Sequence, residues 1–219
     1  MSLLHDAYTA LLSGLTIRTG NEIHWKNESG KSITVEPLDI NHDKYVVKKY
    51  YPNGRRHWEE EYQGDQRHGK SIGWYSGGVK KWENEYYNNQ YHGKSIKWYE
   101  NGRKKLSTEF RSGMQHGKCI KWYENGQKRW EIDFVYGQMH GKHIEWHENG
   151  KMAFDSEYRN NNKYGKFFGW HTNGQIGWEE EYDNNGNLHG KRIAWHKDGT
   201  KRWDERYDHG YLIEMVNVS

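Results

Sequence analysis

The 219-residue chain has a single cysteine, Cys119, which excludes a disulfide framework and a cysteine-based zinc site. It has only two prolines. Leu, Ile and Val are sparse, too few for the aliphatic core that a domain of this length ordinarily buries. No run approaches the ~18 apolar residues of a membrane-spanning helix. Neither sign of charge dominates: 33 Lys and Arg stand against 30 Asp and Glu, a net charge of +3, with the signs interleaved along the chain. That balance argues against a nucleic-acid partner and leaves no dense basic face for anionic lipid. The opening stretch MSLLHDAYTALLSGL carries an acid and no basic segment, so it does not read as a secretory signal. The expected location is intracellular, in a reducing cytoplasm.

What the chain has is rings and turns: twelve Trp, seventeen Tyr and 25 Gly. They recur with a fixed period. His-Gly-Lys begins at His68, His92, His116, His140 and His189, with Tyr164-Gly165-Lys166 at the missing step. The spacing is 24 residues, and 25 at the last step, where Gly186 reads as an inserted turn residue. Each tripeptide is followed by Trp74, Trp98, Trp122, Trp146, Trp170 or Trp195. A turn glycine comes next, then a large apolar residue (Trp82, Leu106, Trp130, Phe154, Trp178, Trp203) and a further aromatic. Residues 45–62 keep the phase with Tyr50, Gly54, Trp58 and Tyr62, and Trp25 with Gly30 marks a decayed earlier copy. The organisation read from this is an N-terminal cap over 1–19, a degenerate first repeat and irregular link over 20–44, the array over 45–210, and a terminal strand over 211–219.

Each copy reads as a β-hairpin. Glu124, Asn125 and Gly126 suit a three-residue loop with Tyr123 paired to Gln127 and Gly126 in the left-handed conformation. Simple alternation then puts Ile120, Trp122, Trp130, Ile132 and Phe134 on one face, and Cys119, Lys121, Tyr123, Arg129, Glu131 and Asp133 on the other. Asn- and Gly-bearing turns link one hairpin to the next. Copies that cannot bury their rings alone bury them on neighbours. The expected fold is all-β: an elongated, twisted, single-layer antiparallel meander of about fourteen strands, roughly 65 Å long at ~4.8 Å per strand. A short helix, with Leu3, Leu4, Ala7, Tyr8, Leu11 and Leu12 as its apolar stripe, caps the first edge or docks to another protein.

The Asn-Gly turn, the Trp-Tyr before it, the Glu-x-aromatic strand after it and the following Gly resemble MORN repeats, over about Tyr45 to Gly210. The phrase WYENGQKRWEIDFVYGQMHGK is similar to the variant found in giant-virus and bacterial antitoxin-like proteins. The resemblance implies a stacked-hairpin sheet, a mostly non-catalytic scaffold role, and for some members an association with membranes or phosphoinositides. If the chain is viral, its place is the host cytoplasm or the virion.

Four ladders remain to be weighed. Equivalent histidines two strands apart, ~9.6 Å, cannot share a zinc whose nitrogens must be about 3.3 Å apart, so no metal and no cofactor is expected. The His then caps a turn or packs on a ring. The Gly after it lets a large ring lie across bare backbone. The Lys row (Lys70, Lys94, Lys118, Lys142, Lys166, Lys191) and the acid row (Glu61, Glu85, Glu109, Asp133, Glu157, Glu181) offset one another. The rings either close on each other through twist or stay open as a contact surface. The candidate protein-binding face is Trp74, Trp98, Trp122, Trp130, Trp146, Trp170, Trp178 and Trp195, centred on Trp98, Trp122, Trp130 and Trp146. No catalytic residue is expected. The partner expected is another protein; a lipid surface, an aromatic cage for a choline- or glucan-like ligand, and self-association through a sheet edge or the aromatic face are the alternatives.

Overall fold

The computed structural model describes residues 17–19, 22–26, 32–39 and 43–216. The apolar stripe of residues 3–12 lies outside them. Every regular element among the described residues is a β-strand, and no helix among them is long and apolar enough to cross a membrane. Two compact units divide the chain, one reaching to Arg103 and including Phe110–Gly113, the other formed by Lys104–Glu109 and the chain from Met114.

In the first unit the strands are β1 (Ile17–Thr19), β2 (Glu22–Lys26), β3 (Ser32–Asp39), β4 (Lys44–Tyr50), β5 (Arg56–Gln63), β6 (Gln66–Trp74), β7 (Lys80–Tyr87) and β8 (Gln90–Trp98). Each pairs antiparallel with the next. Two expectations are corrected here. Residues 17–19, placed within the N-terminal cap segment, form a strand. The segment Ser32–Asp39, expected as an irregular link, is β3, with Ile33, Thr34 and Val35 buried. The three successive β-branched residues in SITV outweigh the Pro37 that follows, because Pro37 sits next to the irregular end of the β3–β4 ladder.

The strands that follow are β9 (Lys104–Arg111), β10 (Met114–Gln115), β11 (Gly117–Trp122), β12 (Lys128–Val135), β13 (Gln138–Trp146), β14 (Met152–Arg159), β15 (Asn162–Trp170), β16 (Ile176–Tyr182), β17 (Leu188–Trp195), β18 (Lys201–Asp208) and β19 (Tyr211–Met215). In the second unit β9 pairs with β11, and from β11 onward each strand pairs with its successor.

The three-residue loop is as expected. Tyr123 N–H donates to Gln127 O at 2.8 Å, Gly126 N–H to Tyr123 O at 3.0 Å, and Gly126 has φ +93°. The faces are not as expected. Trp122 pairs with Lys128, yet Lys121 pairs with Trp130. Arg129 is the extra residue of a β-bulge, and one extra residue moves everything beyond it to the other face. Ile120 consequently pairs with Glu131, and Cys119 with Ile132. The same skip occurs at His57, Lys81, Ala153, Gly177 and Arg202. One face of each hairpin, the ladder face, therefore carries residues such as Lys118, Ile120, Trp122, Lys128, Glu131 and Asp133. The opposite, tyrosine face carries Cys119, Lys121, Trp130, Ile132 and Phe134.

A second irregularity sits at His-Gly-Lys. Glu60 pairs with Ser71 and Tyr62 with Arg67, which leaves Glu61 opposite His68, Gly69 and Lys70. Gly69 has φ +109°, and a Cβ there would lie 2.0 Å from Glu61 Oε2. The carboxylate fills that space and accepts the Lys70 N–H at 3.0 Å. Asp133 does the same at Gly141, accepting Lys142 N–H at 3.2 Å. The expectation of a ring over this glycine is thus corrected: an acid of the preceding strand occupies it. Rings do cover two other glycines. A Cβ at Gly73 would meet the Trp82 ring at 2.3 Å, and one at Gly169 the Trp178 ring at 2.1 Å.

Candidate binding surface

Successive hairpins are pinned to one another at the loop ends. Tyr51 Oη donates to Trp74 O at 2.7 Å, Tyr75 Oη to Trp98 O at 3.0 Å, and Tyr123 Oη to Trp146 O at 2.9 Å. His147 Nε2 and His171 Nε2 take the same place against Trp170 O (2.8 Å) and Trp195 O (3.0 Å). These bonds hold each Trp at a set height on its strand. All eight candidate tryptophans are half-buried.

Cations from the preceding repeat lie over the indoles. Arg56 is 5.4 Å from the Trp74 ring, Lys80 5.2 Å from Trp98, Lys104 5.9 Å from Trp122, and Lys128 5.5 Å from Trp146. Each such contact stabilises by about 0.5–1 kcal/mol at an exposed site. Acids anchor the cations: Arg56 to Glu59 at 2.7 Å, Lys80 to Glu83 at 2.6 Å, and Lys128 to Glu131 at 2.7 Å. The hydrogen bond from Lys80 holds the Glu83 carboxyl below its ordinary range. Burial pushes Glu131 the other way, but hydrogen bonds from Lys118 and Lys128 outweigh it and the net displacement is downward.

Two copies break this pattern. Met152 pairs with Trp146 and Ile176 with Trp170, at the positions that hold Lys80 and Lys128 elsewhere. Phe168 lies 5.8 Å from Trp170 on the same face. The ladder face of the second unit thus has an apolar stretch of Trp146, Met152, Phe168, Trp170 and Ile176. Met152 is 37% exposed.

The structure separates the predicted residues. In the first unit Trp74 and Trp98 keep the ladder face, and in the second Trp122, Trp146, Trp170 and Trp195 do so. Trp130 and Trp178 stand on the tyrosine face, the first between Lys121 and Glu145, the second over Gly169. The expected grouping of Trp130 with Trp98, Trp122 and Trp146 is therefore corrected by the bulge at Arg129.

The tyrosine face is the better packed. Phe167, 1% exposed, is ringed by Phe154, Tyr158 and Tyr182 at 5.9, 5.4 and 4.9 Å. A polar row that sequence reasoning missed runs between its rings. Ser71 donates to Glu60 at 2.9 Å, Ser95 to Asn84 at 2.7 Å, and Arg192 reaches Glu180 at 3.3 Å and Glu205 at 3.1 Å. Polar residues at a fixed phase between aromatics were its only sequence signal.

The ladder histidines mostly serve turns and rings. His68 Nδ1 lies 3.2 Å from Asn88 Oδ1, His140 Nδ1 3.1 Å from Asn160 Oδ1, and the His116 ring is 5.0 Å from Tyr136. The last copy differs. His189, Asp208 and His209 bring three donor atoms within 4.8 Å of one another. That group comes from one ladder histidine and the following turn, a juxtaposition that ladder spacing does not address.

The family model described as MORN repeat variant matches residues 115–135 and 139–160. Those stretches, two successive hairpin steps of the second unit, are similar to that repeat variant. No curated protein matches the chain.

Proposed function

We propose that this protein is a non-catalytic repeat scaffold that binds another protein through the ladder face of its second unit, centred on Trp170. The observation that carries this reading is the exchange of cations for Met152 and Ile176 between half-buried indoles. Trp74, Trp98, Trp122 and Trp146 each have a cation over the ring, and three of those cations are held by an acid. Such rings are committed within the molecule. Around Trp170 the same fold position holds an apolar side chain, and contiguous apolar surface that includes Trp marks contact sites. An aromatic cage for quaternary ammonium is disfavoured at Trp74, Trp98, Trp122 and Trp146, because the protein's own Lys and Arg occupy the ring faces such a ligand needs. A lipid surface is disfavoured because most of the ladder cations are already paired with acids.

The test uses residues that the fold already accepts. Changing Met152→Lys and Ile176→Lys together gives these copies the side chain found at Lys80 and Lys128. Binding of the protein captured by the wild type should weaken at least about tenfold, which is ~1.4 kcal/mol, with little change in melting temperature. Lys121→Gln with Glu145→Gln on the tyrosine face should stay within about twofold. The reverse pattern, or wild-type protein that captures nothing from its native cell, would remove the ladder face as the site.

A further inference from the structure

We propose that the last complete repeat carries a site for a divalent cation of the zinc type, with His189 Nδ1, Asp208 Oδ1 and His209 Nε2 as ligands. The fold creates the juxtaposition. At His68, His116, His140 and His189 the histidine of His-Gly-Lys lies beside the first residue of the turn twenty positions on. That turn residue is Asn88 beside His68 and Asn160 beside His140, and the pair forms a plain hydrogen bond. At the end of β18 the turn residue is His209, at φ +44°, and the residue before it is Asp208. The equivalent positions before the turn elsewhere are Tyr87, Arg111, Val135 and Arg159. Metal-ligating side chains thus replace structural ones at two adjacent positions, opposite a histidine that is already there.

The distances suit a small cation. His189 Nδ1 is 3.2 Å and His209 Nε2 3.8 Å from Asp208 Oδ1. Ligand atoms around tetrahedral zinc lie about 3.3 Å apart, so modest rotation of exposed side chains closes the set. Imidazole with carboxylate suits zinc, nickel or copper rather than calcium. Three protein ligands leave one position open to water.

A second, independent feature orients the site. Asp183 Oδ2 lies 2.7 Å from His209 Nδ1. A carboxylate on that nitrogen selects the tautomer that turns the Nε2 lone pair outward, as it does behind metal-bound histidines. Asp183 is itself held, accepting the N–H groups of Asn185 at 2.8 Å and Asn187 at 2.9 Å. It comes from the loop that breaks the 24-residue spacing. The irregular turn and the two unusual residues at the end of β18 therefore converge on one imidazole.

The experiment uses the untagged full chain, stripped with chelator and titrated calorimetrically with zinc alone, then with cobalt to read coordination from its visible bands. One zinc per chain is expected, with a rise in melting temperature on loading. Asp208→Asn and His189→Gln should each weaken binding at least about tenfold and abolish the thermal rise. Asp183→Asn should weaken it by about 10–100-fold, the usual cost of losing a carboxylate behind a ligating histidine. His140→Gln, the same ladder position in a copy without the acid and the second histidine, should change nothing. Absence of stoichiometric uptake overturns the proposal. So does uptake that survives Asp208→Asn, or uptake lost equally in His140→Gln, since either result would assign the zinc to surface histidines in general.

Discussion

Glycine has two distinct duties in this protein, and they fail differently. Gly69 and its equivalents need positive φ and leave room for a carboxylate. Gly73 has ordinary backbone angles and is needed only because the Trp82 ring lies across it. Gly73→Ala would put a Cβ 2.3 Å from that ring. We expect it to lower stability by about 1–3 kcal/mol, the range for overpacking, as read from the urea midpoint of unfolding. Trp82→Leu in the same chain should recover part of the loss, since Leu106 occupies that position one repeat later. Equal losses in Gly73→Ala with and without Trp82→Leu would show that the ring is not the cause. The glycine was plain in the sequence, but the ring that covers it comes from the paired strand, past a turn and a bulge.

At the scale of the hairpin, one amide does two jobs. Asn125 Oδ1 accepts the Gln127 N–H of its own loop at 2.9 Å, and its Nδ2 donates to Glu148 O of the next loop at 3.1 Å. Asn149 and Asn173 repeat both bonds. At the last such loop the residue is Asp198, which makes the internal bond to Thr200 at 2.9 Å. Asn125→Asp should keep the loop and lose the stitch, costing about 1 kcal/mol, and Asn125→Ala about twice that. Asp198→Asn should be close to neutral. Chemical denaturation of the three variants decides it, and an equal cost for Asp and Ala at position 125 would show that the stitch to the next loop contributes nothing. The three-residue loop was legible from Asn-Gly alone. The bulge beside it was not, because His57, Lys81, Arg129, Ala153, Gly177 and Arg202 share no side-chain chemistry by which a sequence could mark them.

At the scale of the whole molecule, several carboxylates are held ionised by neighbouring cations. Hydrogen bonds from Lys80 hold Glu83 low, those from Lys118 and Lys128 hold Glu131 low against its burial, and Lys201 holds Asp204 low. A folded-state pKa below the unfolded value means that the native state binds fewer protons. The stabilisation is then complete above the unfolded values, ~4.3 for Glu and ~3.9 for Asp, and is lost as pH falls through the lower folded values. These three groups should leave stability flat between pH 7 and about 5 and reduce it by pH 3. Urea midpoints across that range measure this, and Glu131→Gln should shrink the acid-side drop. A midpoint that is the same at pH 3 and pH 7 would mean these ion pairs contribute nothing net.

The sequence by itself determined the period, the hairpin, the loop conformation and the antiparallel, all-β character of the described chain. Each of these rests on signals within a few residues, an Asn-Gly pair or an alternation of rings, repeated often enough to outweigh any one exception. Only the tertiary structure decided which face a ring occupies, because a single bulged residue reverses the parity that alternation assumes. It also decided that the cations beside Glu83 and Glu131 lie over indoles eighteen residues further on, and that His189 meets His209. The cation–indole contacts cross from one hairpin to the next and the His189–His209 contact crosses the β17–β18 pair, so both depend on register between strands, and register is a property of the paired backbone rather than of either strand's sequence.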